Sequence, residues 1–152
     1  MLNQICENLC NYFVQNRYEG RFEIDGGMIS LPLLDGQRFL IQGSALNDGM
    51  YTYHDTYIGN DDDTEAVGLQ DEMWAGTICA LNVPPALIAL SCEVKAWVVE
   101  NGESLNSPYT SESVLGVYSY TKATGGHGAG GSVGWMDVFA DKLNRWRKVA
   151  FL

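Results

Sequence analysis

The sequence predicts an α+β fold: a helical core made by N-terminal, central and C-terminal helices, a small SH3-like or OB-like β-barrel or curled sheet inserted into it, and an extended arm. Three observations carry that expectation. Apolar residues recur with a helical period at both ends of the chain and in its middle. Between the first two helical stretches the period changes to two, and glycine-containing turns interrupt it at short intervals. Between the last two, neither period is present, and hydroxyl groups, tyrosines and glycines take over.

Residues 1–17 form the first element. Leu2, Ile5, Cys6, Leu9, Cys10, Phe13 and Val14 share one helical face, which places a helix over residues 2–16 and ends it before Gly20. Residues 18–82 are the β region. Arg21-Phe22-Glu23-Ile24 alternates, Asp25-Gly26-Gly27 reads as a hairpin turn, and Met28 to Leu31 returns before Pro32. Asp35-Gly36 turns again into Gln37 to Gln42, with Phe39 and Ile41 facing inward, and Met50 to Tyr53 follows Asn47-Asp48-Gly49. Trp74 to Leu81 is the last strand. Short strands spaced this evenly suit a small barrel or curled sheet.

Inside this region, Gly59-Asn60-Asp61-Asp62-Asp63-Thr64-Glu65 is acidic. A calcium loop counted from Asp61 needs glycine at its sixth position and glutamate at its twelfth. Ala66 and Glu72 stand there, so the glycine is missing. Asp61, Asp62 and Asp63 are expected to form a solvated loop that binds no metal, and no cofactor is expected anywhere in the chain.

Residues 83–102 form the central helix. Pro84 and Pro85 suit a first helical turn, where a missing N–H costs nothing. Leu87, Leu90, Ser91, Val94, Trp97 and Val98 make one face, while Ile88, Ala89, Cys92, Ala96 and Val99 fill much of the other. A helix apolar on nearly all sides is expected to be enclosed. Asn101-Gly102 is expected to end it, since both residues tolerate a left-handed C-cap.

Residues 103–134 read as an arm and a joint. Ser107 to Tyr120 lacks helical period, and Thr124 to Gly134 holds six glycines in eleven residues. The Gly-Lys-Ser/Thr ending of a phosphate loop is absent. Residues 135–152 place Trp135, Phe139, Leu143 and Trp146 on one stripe of an amphipathic helix, with Lys142, Arg145, Arg147 and Lys148 toward its end. Tryptophan and arginine dominate interface hot spots, so this stripe is a docking candidate, although a core helix shows the same pattern.

Charge separates the chain into two parts. The net charge is −10, but residues 1–121 carry 17 acids and four bases, and residues 122–152 two acids and five bases. An acidic body argues against wrapping by nucleic acid, which wants a basic face. The four cysteines, Cys6, Cys10, Cys79 and Cys92, have no metal-ligand spacing and read as small hydrophobes in a reducing compartment. No uninterrupted apolar run is long enough to span a membrane, and the first residues lack the basic and apolar regions of a signal peptide. Two histidines stand far from any nucleophile motif, and no Gly-x-Ser-x-Gly or HExxH pattern occurs, so an enzyme is not expected.

Several motifs together resemble one family. Gly36-Gln37-x-Phe39-x-Ile41-x-Gly43-Ser44-x-x-Asn47-Asp48-Gly49-x-Tyr51 is followed by Trp74-Ala75-Gly76 and Val83-Pro84-Pro85. Ser107 to Ser113, Tyr118-Ser119-Tyr120 and Leu143-Asn144-Arg145-Trp146-Arg147-Lys148 complete the series. In this order they resemble the head–tail connector, or adaptor, proteins of tailed bacteriophages. The resemblance implies a non-enzymatic neck protein at the portal vertex of the virion, made in the host cytoplasm. It implies a homododecameric ring that joins the portal protein to the next neck or tail-completion protein, with DNA passing through the channel and no membrane contact. It implies an arm, with Tyr109, Glu112, Tyr118 and Tyr120, that touches neighbouring subunits. It also implies that a C-terminal segment, here Trp135, Phe139, Leu143, Arg145, Trp146, Arg147 and Lys148, docks on the portal. An acidic lumen would let DNA slide without sticking. The competing expectation is a cytosolic protein- or peptide-binding module built on an SH3-like barrel.

Overall fold

In the computed structural model, residues 1–106, 111–114, 118–121 and 134–149 are described, with side chains for 1–101 and 134–149. The chain begins with α1 (Leu2–Leu9) and then enters β1 (Val14–Asp25), β2 (Met28–Ile29), β3 (Arg38–Gln42), β4 (Gly49–Tyr53), β5 (Ile58–Gly59) and β6 (Glu72–Leu81). Next come α2 (Pro85–Asn106), β7 (Ser111–Val114), β8 (Tyr118–Thr121), α3 (Trp135–Val138) and α4 (Ala140–Asn144).

β1 to β6 make one antiparallel sheet in the order β2-β1-β6-β3-β4-β5, and β7 and β8 pair in a separate sheet of two. The Gly26-Gly27 turn sets Asp25 opposite Met28, as the sequence predicts. β6 is the central strand: it pairs with β1 from Val14 to Ile24 on one side and with β3 from Phe39 to Gln42 on the other. Its run Ile78-Cys79-Ala80-Leu81 is buried throughout, because both faces of the sheet are covered there. Alternate residues serve the two cores. Phe39, Ile41, Ile78 and Ala80 join Ile24, Ile29, Ile58 and Trp74 on the inner side of the curled sheet. Leu40, Met50, Cys79 and Leu81 join Leu2, Ile5, Leu9, Leu87, Leu90, Val94, Phe139 and Leu143 under the helices.

This arrangement corrects the expected helical core. The body is a six-stranded, barrel-like antiparallel sheet, and the helices are a layer over one face of it. Among the described residues, three of the four helices have eight residues or fewer, so they bury too little surface to form a core among themselves. The long helix α2 is not enclosed. Leu87, Leu90, Ser91 and Val94 face the sheet and are buried, but Ala89, Cys92 and Ala96 are exposed and Val99 is 77% exposed. Small side chains gain little from burial, which is why that face can stay in water.

Boundaries moved for local reasons. α1 stops at Leu9 because Cys10 turns left-handed (φ 52°) and its N–H closes on the Glu7 carbonyl. Phe13 is also left-handed (φ 56°), and the chain leaves it as β1. α2 runs through Asn101, whose side-chain amide donates to the Trp97 carbonyl (2.8 Å) instead of ending the helix. The C-terminal stretch is two short helices broken at Phe139 (φ −101°, ψ 9°).

Candidate interaction surfaces

The acidic loop is organised rather than free. Asp61 Oδ2 accepts the backbone N–H of Asn3 (3.0 Å) and lies 2.9 Å from the Met1 ammonium. Asp62 accepts the N–H of Leu2 (3.5 Å) and pairs with Lys95 Nζ of α2 (2.8 Å). α1 has no side-chain cap of its own. Two carboxylates from the loop therefore take the place of an N-cap, where exposed N–H groups and the helix dipole favour negative charge. Burial pushes the Asp62 carboxyl up, but its hydrogen bond to Lys95 and the neighbouring positive charges outweigh this and leave it below the usual value. Asp63 Oδ1 meets His54 Nε2 at 2.7 Å, while His54 Nδ1 meets Asp35 Oδ1 at 3.1 Å. The hydrogen bond to Asp63 is the main cause of the raised His54 pKa.

The C-terminal candidates divide by depth. Phe139 and Leu143 are buried under α2 and α1, and Trp135 and Trp146 are half-buried beside them. Phe139 stands edge-on to Trp97 (6.3 Å between centroids), and Trp146 edge-on to Phe13 (6.1 Å). The Trp146 carbonyl accepts from Asn11 Nδ2 (2.9 Å), and the Lys148 N–H donates to the Leu9 carbonyl (3.0 Å). Arg147 forks onto Asn8, at 2.6 Å to its carbonyl and 3.0 Å to its side-chain oxygen. Arg145 stacks on Trp146 (4.3 Å) and, with Arg147 and Lys148, is exposed. The aromatic stripe thus meets the chain's own body, and the basic side chains face outward.

Of the arm residues, Glu112, Tyr118 and Tyr120 lie on β7 and β8, where Glu112 is opposite Tyr120 and Val114 opposite Tyr118. Tyr109 and all of the glycine joint at 124–134 except Gly134 fall outside the described residues.

Cys6 and Cys79 are buried thiols, whereas Cys10 and Cys92 are exposed. Burial and nearby acids push the Cys6 thiol up to about 12, and burial raises Cys79 as well, so neither is a thiolate at neutral pH. Ser44, buried, donates to Glu72, whose carboxylate also accepts from Ala45 N and Asn47 Nδ2 (3.0 Å each). These bonds tie the Gly43–Gly49 loop to β6. Among the described residues no group of three or more His, Cys, Asp or Glu could hold a metal ion, and no helix is long and apolar enough to cross a membrane.

The sequence reading missed one surface. β1 is paired with β6 along its whole length, but β2 covers its other edge only at Ile24 and Asp25. Val14 to Arg17, Glu19 to Arg21 and Glu23 are exposed along that strand. An open depression of ≈ 410 Å³ borders it at Arg21, Phe22, Glu23 and Met28. The alternation of Arg17, Glu19, Arg21 and Glu23 was visible in the sequence, yet only the strand order shows it to be an outer strand. Compared with protein-family models, curated proteins and solved structures, the chain matches none.

Proposed function

We propose that this chain is a non-enzymatic assembly subunit of a tailed-phage neck, forming a homo-oligomeric ring between the portal and the tail around the DNA channel. The observation that carries the reading is the separate β7–β8 pair, which among the described residues pairs with no strand of the body and occupies the stretch that the resemblance assigns to an inter-subunit arm. Two further features agree with it. Ser44 and Glu72 are committed to holding the Gly43–Gly49 loop, and the exposed bases Arg145, Arg147 and Lys148 offer a positive patch on a chain of net negative charge. Such a patch suits an acidic docking partner and steers its approach.

The test is imaging and solution mass of the purified chain, alone and with portal vertices. The expected result is a ring with a central hole that seats on the portal, and that Arg145→Glu with Lys148→Glu detaches without lowering the melting temperature. A particle of one or two copies that leaves the portal unoccupied would sink the proposal and leave the binding-module reading.

A further inference from the structure

We propose that the free edge of β1 is a self-complementary docking site for a second copy of this chain, so that two sheets join as one through an antiparallel β1–β1 pair. The starting point is the direction of the backbone groups. Asp25 and Met28 flank a two-residue turn, so the Asp25 N–H and C=O point at β2. Backbone groups alternate along an antiparallel strand, so those of Glu23, Arg21, Glu19 and Arg17 point to the same edge. Among the described residues no strand occupies that edge from Arg17 to Glu23. At one end of this window β2 covers β1 from Ile24 onward, and at the other the register of β1 is irregular between Val14 and Asn16. The partner's β2 would fall beside this irregular stretch, outside the paired window.

The window reads Arg17-Tyr18-Glu19-Gly20-Arg21-Phe22-Glu23. Placed antiparallel to itself about Gly20, it sets Arg17 against Glu23, Glu19 against Arg21, and the same two pairs again by symmetry. Every charge meets its opposite. These are also the residues whose backbone groups face the free edge, so each such pair closes backbone hydrogen bonds. Tyr18 falls opposite Phe22 on the inner face, a non-hydrogen-bonded position where side chains approach closest. Gly20 lies on the two-fold axis with φ +147°, and a Cβ there would meet nothing within 4 Å, so the strands have room to approach. Sliding the pair by two residues in either direction stacks arginine on arginine and glutamate on glutamate. The charge order thus selects one register and favours a second copy over an arbitrary strand. Within one copy, Arg17 Nε binds Glu19 Oε1 (2.7 Å), a pair between two exposed side chains that exchanges readily for a cross-strand one. The contact is isologous and closes at two copies, so it is independent of the neck reading, whose ring needs a different, head-to-tail contact.

Sedimentation of the full chain tests this. The expected result is a dimer with a dissociation constant on the order of 10 μM. Glu19→Arg alone and Arg21→Glu alone each put like charges opposite at two of the four pairs, and should weaken the dimer at least about tenfold. Mixing the two variants should restore dimerisation as a heterodimer, because the two changed positions then face one another with opposite sign and the unchanged partners do the same. The double variant, Glu19→Arg with Arg21→Glu, should also dimerise. All of these positions are exposed, so the melting temperature of each variant reports that the monomer stays folded. A chain monomeric up to about 1 mM, or a dimer indifferent to both single substitutions, overturns the proposal. A ring unaffected by either substitution overturns this contact while sparing the neck reading. A dimer that follows the charge rule but never forms a ring retains the contact and removes that reading.

Discussion

His54 shows how much a single side chain can be held by its neighbours. It is 16% exposed, stacks on Tyr57 at 4.4 Å, and is flanked by the carboxylates of Asp63 and Asp35. Its folded pKa is raised above 6.5, so the protonated form is the one the fold favours. The stability it contributes is complete below about 6.5 and is lost as the pH rises through the folded pKa. His54→Phe keeps the stack and removes the ion pairs. Its melting temperature should fall below that of the parent chain near pH 5.5 and match it near pH 9, roughly the limits of histidine titration. Equal deficits at both pH values would show that the charge does not matter. Gly76 is constrained by space instead. A Cβ there would collide with the Gln42 carbonyl and lie 3.0 Å from the Trp74 ring. β3 runs alongside, so the backbone cannot retreat, and Gly76→Ala should cost about 1–3 kcal/mol in denaturant unfolding, the usual cost of overpacking.

At the scale of elements, α1 depends on a cap that stands 58 residues away in the chain. Asp61→Ala removes the acceptor of the Asn3 N–H and should destabilise the protein by about 1–2 kcal/mol. Asp61→Asn keeps an oxygen acceptor and should recover part of that loss, measured by urea unfolding. Calcium titration by calorimetry should show no micromolar binding at Asp61–Asp63, since their oxygens already serve α1, Lys95 and His54. α3 and α4 follow the same pattern. Trp135, Phe139, Leu143 and Trp146 shield the end of α1 and one side of α2, and neither short helix would persist without that contact.

For the whole molecule, the two cores are inseparable because they share strands. Leu40 points to the helices and its neighbours Phe39 and Ile41 to the sheet interior; Cys79 and Ile78 divide in the same way. Leu40→Ala and Ile78→Ala, on opposite faces, should each cost about 2–5 kcal/mol and shift one common transition. Far-ultraviolet circular dichroism, which follows the helices, and tryptophan fluorescence should give superimposable curves. A helical core of its own would instead melt apart from the sheet.

The sequence by itself determined the periods, the turns and the inward residues. Phe39 and Ile41, the Gly26-Gly27 hairpin, and the buried face Leu87, Leu90, Ser91, Val94 all lie where the pattern puts them, since each follows from chain geometry over a few residues. Only the tertiary structure decided which layer is the core. Apolar periodicity says that a helix face is buried but not what buries it, and a continuous apolar run such as Ile78-Cys79-Ala80-Leu81 says that both sides of a strand are covered but not by which elements. The position of β6 between β1 and β3 was decided at long range, as was the capping of α1 by Asp61, because the partners lie tens of residues apart. The open edge of β1 belongs to the same class. An Arg-Glu-Arg-Glu alternation is local, but a strand lies at an edge only when the order of all the strands is known.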